Sequence, residues 1–164
     1  MLRSAHSIPI GLDLSPGMLR IARQMTPDVS VVQADLNRAF PVRPGRFDAV
    51  ISTLVSEHLT NLQCFFLEVY AAPRRGGRFV FSAFHPELAR SGIEANFERD
   101  GVEYRLGAEP HKLDDYLTHI CDAGFRVLEQ REYAADDKLV RELPWATKYS
   151  DRPLLAVVSA ERAT

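Results

Sequence analysis

At 164 residues, with 46% hydrophobic and 26% charged side chains, the chain has the length and composition of one folded domain rather than a disordered tract. Its net charge of −2 offers no basic footprint for nucleic acid or an anionic membrane. No apolar run approaches the roughly 18 residues of a membrane span, and residues 1–10 hold too short an apolar stretch for a secretory signal. Cys64 and Cys121 lie far apart without a CxxC partner, which fits buried thiols in a reducing compartment. One soluble, cytoplasmic domain spanning residues 1–164 is the expectation.

Along the chain, residues 7–12 form a short apolar strand ending at Asp13. Ser15-Pro16 reads as a helix N-cap followed by N1, because Ser accepts from free amides and Pro needs no donor there. Met18, Ile21, Ala22 and Met25 recur at helical spacing and predict one buried face. Residues 29–34 make a second strand, residues 37–46 a loop broken by Pro41, Pro44 and Gly45, and residues 47–52 a third strand. Leu62, Phe65, Phe66, Val69 and Tyr70 stripe a second helix, and residues 78–82 form a fourth strand. A helix with Leu113, Leu117, Ile120 and Cys121 on one face ends at Gly124, a C-cap; residues 126–129 and 154–158 are further strands. Such alternation predicts an α/β domain with a mostly parallel sheet. Residues 86–110 and 134–152 interrupt it, as covers or loops.

In an open parallel sheet, ligands bind beyond the carboxyl ends of the strands. Asp13 and Asp35 stand at two such ends, where carboxylates accept hydrogen bonds from the hydroxyls and amine of a nucleoside or, alternatively, simply cap turns. With its neighbours, this pair resembles class I S-adenosylmethionine-dependent methyltransferases. Residues 10–19 (IGLDLSPGML), Ala34-Asp35-Leu36, residues 47–52 (FDAVIS) and residues 74–82 (RRGGRFVFS) are similar to successive motifs of that family. The small-molecule branch that includes the ubiquinone-type enzymes is the nearest likeness. Residues 10–85 carry the resemblance, and residues 111–160 match only the order of elements.

The resemblance implies a Rossmann-like sheet whose last strand runs antiparallel to its neighbours, with S-adenosylmethionine as cofactor. It implies that Asp13 takes the ribose hydroxyls, Leu14 packs on the adenine and Asp35 accepts from the adenine amine. The Leu36 amide would lie near the ring, and Ser52 and Thr53 beside the methionine portion. The family's glycine-rich loop, between a first strand and first helix, has no counterpart here, and residues 1–6 look like the last turn of that helix. A truncated domain is therefore expected, lacking the strand that is central in the family's sheet. The gap would be closed by re-pairing of the flanking strands, by a complementing chain or by a homodimer.

His58 and His85 are the acid–base candidates, at the mouth of the cleft and at the end of the fourth strand. Each has an alternative reading, as a polar or capping residue for His58 and as a turn histidine held by backbone for His85. His111 and His119 read as surface residues, and no spacing suggests a metal site. Asn96, Phe97, Tyr104, Trp145 and Tyr149 either line an acceptor pocket or pack the two excursions down. The leading expectation is methyl transfer to a small-molecule acceptor, with no nucleic acid or membrane partner, conditional on completion of the missing part. The alternatives are a non-catalytic binding or scaffold subunit, and a nicotinamide-binding domain, which leaves Asp35 and the later motifs unexplained.

Overall fold

The computed structural model describes residues 7–90, 96–105, 107–109, 111–150 and 152–163. It begins with β1 (Ile10–Asp13), α1 (Pro16–Met25) and β2 (Ser30–Gln33). The two strands pair in parallel, Ile10 opposite Ser30 and Asp13 opposite Gln33. Ser15 caps α1 as predicted, its Oγ accepting the Met18 N–H at 3.3 Å, with Pro16 opening the helix. The predicted buried face of α1 is corrected. Met18, Ile21 and Met25 are 55%, 47% and 80% exposed, and Leu19 is the helix's buried residue. Periodicity identifies side chains that share a face, but a two-stranded sheet is too narrow to cover this one.

The larger part comprises β3 (Phe47–Thr53), α2 (Leu62–Ala71), β4 (Pro73–Phe84), α3 (Pro86–Arg90), β5 (Asn96–Arg99), β6 (Val102–Arg105), α4 (Leu113–Asp122), β7 (Phe125–Ala134), α5 (Asp137–Glu142) and β8 (Pro153–Arg162). Its four-stranded sheet has the order β3-β4-β8-β7. As expected, β3 and β4 are parallel neighbours, while β8 lies antiparallel between β4 and β7. Alternation along β4 places Phe79, Phe81 and Ala83 on one face, and α2 and α4 cover it with Phe65, Phe66, Val69, Tyr116 and Ile120. All eight of these are at most 2% exposed. Phe66 is central, edge-on to Phe65, Phe79 and Phe81 with ring centroids 5.0–6.2 Å apart. Asn61 caps α2 by accepting the Cys64 N–H at 3.0 Å. Gly124 follows α4 at φ +104°, where a Cβ would also stand 3.0 Å from the Tyr70 ring, so both conformation and space require glycine.

Neither β1 nor β2 pairs with the larger sheet, so direct re-pairing of the strands flanking the gap is not what the structure shows. The two parts meet through the segment after β2. Leu36 and Phe40 pack on the main core, the Phe40 N–H donates to Glu68 Oε2 at 2.9 Å, and Asn37 Oδ1 accepts from the Thr60 and Asn61 amides at 2.8 and 3.1 Å.

The first excursion contains α3 and the β5–β6 hairpin, closed by Asp100 and Gly101 at φ 54° and 75°. The second contains α5 and a 3-10 turn, Pro144–Tyr149. Among the described residues, no helix is long and apolar enough to cross a membrane. The buried-thiol expectation is corrected, since Cys64 is half-buried and Cys121 exposed on the outer side of α4. His111 and His119 are half-buried rather than surface residues; His111 Nε2 lies 2.7 Å from the Leu59 carbonyl oxygen, and His119 stacks on Phe66. Residues 1–6 and the side chains of Phe97 and Trp145 lie outside the described residues.

Candidate functional site

The facing edges of β1 and β3 bound a cleft of about 330 Å³, lined along β1 by residues 10–13 and along β3 by residues 47 and 49–53. Its apolar wall comes from Phe65 and Val69 of α2 with Leu36 and Phe40 from the linking segment. At the carboxyl end of β1, Asp13 faces this cleft. Its Oδ1 accepts the Ser15 N–H at 2.7 Å, while Oδ2 has no partner among the described residues.

Of the predicted binding residues, Asp13, Leu36, Ser52 and Thr53 line the cleft together. Leu14 and Asp35 do not. Leu14 points outward and is 61% exposed. Asp35 is engaged locally, its Oδ1 accepting the Asn37 amide at 3.0 Å and its Oδ2 lying 3.2 Å from Arg38 Nε. Because the Arg38 side chain is 82% exposed, that ion pair is weak and readily exchanged.

His85 is buried at the end of β4, with both ring nitrogens engaged. Nδ1 accepts the Glu87 N–H at 3.3 Å, which fixes the proton on Nε2, 3.2 Å from Glu132 Oε2. The ring is thus held as a donor to a carboxylate. His58 is exposed on the 3-10 turn Ser56–His58 that follows β3.

That turn buries the neighbour of His58 instead. Glu57 is 9% exposed with Oε2 unpartnered, and Ser56 is fully buried with an unpartnered Oγ. Both lie near the hydroxyl of Tyr116 on α4, the Ser56 Oγ beside it without the geometry of a hydrogen bond. Burial pushes the Tyr116 pKa above its ordinary 10.0; Ser56 opposes the shift, while Glu57 and Asp115 add to it. The sequence gives Glu57 and His58 adjacent places, and nothing in it shows which side chain the turn carries inward. Ser56 and Tyr116 carry no sequence signal for a site at all. Ser52 Oγ, in the cleft wall, is a second buried hydroxyl without a partner among the described residues. Leu54, between the cleft and this turn, holds φ 53°, a conformation that non-glycine residues adopt at a cost and that concentrates at functional sites. Among the described residues, no group of acids, histidines and cysteines is arranged to hold a metal ion.

A free carboxylate oxygen at the head of an apolar cleft matches a nucleoside, whose sugar offers hydroxyl donors and whose base offers an apolar face. Residues 1–81 match the methyltransferase-domain family. A solved S-adenosylmethionine-dependent methyltransferase from Mesorhizobium loti superposes with a TM-score of 0.78 at 25% identity, over 98% of this chain and 84% of that one. The 18S rRNA (guanine-N(7))-methyltransferase of Bos taurus is 34% identical over 86 residues, covering 46% of this chain and 31% of its own length. That of Schizosaccharomyces pombe, bud23, is 32% identical over 100 residues, covering 54% and 37%. The chain therefore spans about a third of the length of these curated relatives. They overturn two expectations, the small-molecule acceptor and the absence of nucleic acid as a partner. Net charge misled here, because a sum over the whole chain is silent on what one cleft receives.

Proposed function

We propose, from the premise that this chain is a class I S-adenosylmethionine-dependent methyltransferase with S-adenosylmethionine as methyl donor, that its acceptor is a ring nitrogen of an RNA base, guanine N7. The observation that carries this reading is the likeness to relatives named for that reaction, at 34% and 32% identity.

When bound, the donor supplies an electrophilic methyl group on sulfonium. The chain's own residues supply position. Asp13 accepts from the ribose hydroxyls through its free Oδ2, and Leu36 packs beside the adenine in the cleft. Asp35, outside the cleft lining, would have to exchange its Arg38 contact to accept from the adenine amine, and Leu14 would have to turn inward to pack on the ring. Ser52 and Thr53, at the end of β3 in the cleft wall, would hold the methionine portion of the donor. Holding two reactants in line is the main requirement of such a displacement. Guanine N7 carries a free lone pair, so no side chain has to remove a proton before attack. A site whose buried histidine has both nitrogens engaged suits an acceptor of this kind.

The test is transfer from tritiated donor to small-subunit ribosomal RNA, with the modified base mapped by reduction and chain scission at N7-methylguanosine. Label at a guanine N7 supports the reading; unlabelled RNA with the donor bound overturns it and favours a non-catalytic binding subunit. Self-association belongs to the same proposal, because β1 and β3 each leave one edge unpaired along the cleft among the described residues. Sedimentation as a monomer at all concentrations would remove that part.

A further inference from the structure

We propose that the amino end of the larger sheet binds the phosphate backbone of the acceptor RNA, while the target base is presented at the carboxyl end. This deepens the reading of the acceptor as an RNA guanine and rests on it. Four segments meet at the amino end: residues 43–48, 71–78, 122–126 and 160–162. Backbone contacts bring them together. Phe47 lies opposite Pro73 and Phe125 opposite Arg162, and the Arg46 N–H donates to Ala72 O at 3.0 Å. Together these segments hold seven arginines against three acids, Asp48, Asp122 and Glu161. A chain of net charge −2 therefore carries an excess of four positive charges at one end.

The acids leave most of that charge free. Glu161 is shared, its Oε2 lying 3.3 Å from Arg78 and its Oε1 3.0 Å from Arg126. Asp48, 86% exposed, holds Arg74 at 2.8 Å in an ion pair that water and salt weaken. Arg162 Nη1 donates to the carbonyl oxygens of Ala71 and Pro73, which add no negative charge. Arg43, Arg46 and Arg75 are exposed and have no acid partner among the described residues.

From Arg46, before β3, to Arg126 on β7, the surface crosses the whole four-stranded sheet, about 14 Å at the usual strand spacing. A single small anion touches a fraction of that width. A polymer with a phosphate at every residue fits it, and the arginine fork takes phosphate oxygens two at a time. The carboxyl ends of the strands are different, carrying Asp13, Asp35, Glu57, Glu87 and Glu132. Phosphates find little attraction there, so an RNA whose base enters the cleft is held more favourably at the other end. The seven residues of β3 separate the two ends by about 20 Å, roughly twice the screening length at physiological salt. The substrate selected by this geometry is a structured RNA that spans both ends, rather than a nucleotide or a short oligomer.

The experiment measures fluorescence anisotropy of a labelled small-subunit ribosomal RNA fragment with the whole chain at about 50 to 200 mM salt. The variant combines Arg43→Ala, Arg46→Ala and Arg75→Ala. Loss of three phosphate contacts should weaken binding about 100-fold near 0.1 M salt and flatten the salt dependence by about two in log–log slope. KM for the fragment should rise in parallel, while kcat at saturating RNA and affinity for S-adenosylmethionine stay within about twofold. Because these side chains are exposed and free of acid partners, the thermal midpoint should stay within about 2 °C. The control combines Lys138→Ala and Arg141→Ala on α5 and should bind the fragment like the wild type. Unchanged affinity in the triple variant, an equal loss in the control, or a fall in kcat with KM unmoved overturns the surface and leaves guanine-N7 transfer standing. Failure of the wild type to retain the fragment at low salt also overturns the surface. If methyl transfer to the RNA is absent as well, the acceptor reading falls with it.

Discussion

The β1–α1–β2 part and the four-stranded part use the same local rules and reach different degrees of burial. In the larger part, α2 presents Leu62, Phe65, Phe66 and Val69 to a sheet wide enough to receive them, and all four are at most 5% exposed. In the smaller part, α1 is equally well capped, but Ile8, Ile10, Met18, Ile21 and Met25 are all at least 45% exposed. Capping and periodicity make a helix; a surface of matching width is what makes it a stable one. The small part is tied down by Leu36, Asn37 and Phe40 rather than by its own core, which leaves the cleft beside it open to a ligand.

The largest expected effect in this contrast is at Phe66. Phe66→Ala should cost about 3–5 kcal/mol of stability in urea titration, as a core aromatic surrounded on all sides does. A loss below about 1 kcal/mol would mean that the two parts are not differently packed. Next, Asp13→Ala should weaken S-adenosylmethionine by about 1.5–3 kcal/mol in calorimetry, because it removes the hydrogen bonds of a charged group. Unchanged affinity would take Asp13 out of the site.

A smaller effect is confined to alkaline pH. Tyr116 binds its proton more tightly folded than unfolded, so this contribution is complete below pH 10.0 and is lost as pH rises toward the elevated folded value. Tyr116→Phe should flatten the alkaline fall in thermal midpoint; an unaltered profile would assign that fall to other groups. Smallest of all, Met25→Ala on the exposed side of α1 should change stability by no more than about 0.5 kcal/mol. A larger loss would show that something covers this helix in solution.

Much of this was legible from residue order. Runs such as FDAVIS and RFVFS announce strands, and the likeness to known methyltransferases places the last strand antiparallel. Asp13, Leu36, Ser52 and Thr53 do come together in one cleft. The β5–β6 hairpin went unforeseen although Asp100-Gly101, flanked by short β-forming stretches, is a strong turn signal. What the chain order does not encode is what lies opposite a given face. It therefore promised burial for Met18, Ile21 and Cys121, and it drew attention to His58 when Glu57 was the residue turned inward. The acceptor was read too narrowly for a similar reason: cofactor motifs describe the donor's half of the site.

The position of β8 has a consequence for how the protein is made. β4 and β7 have no contact ladder with one another and are joined through residues 153–162. The larger sheet therefore cannot close on the ribosome until that stretch has left the exit tunnel. Until then β4 waits with one edge open, and with it Phe79 and Phe81 await part of their cover. Long-range pairing of this kind slows folding and lengthens the time that aggregation-prone edges stay exposed. A stall near residue 150 during synthesis should leave a nascent chain that chaperones hold and proteases cut, while release of the final strand should bring protection of β3, β4 and β7 in one step.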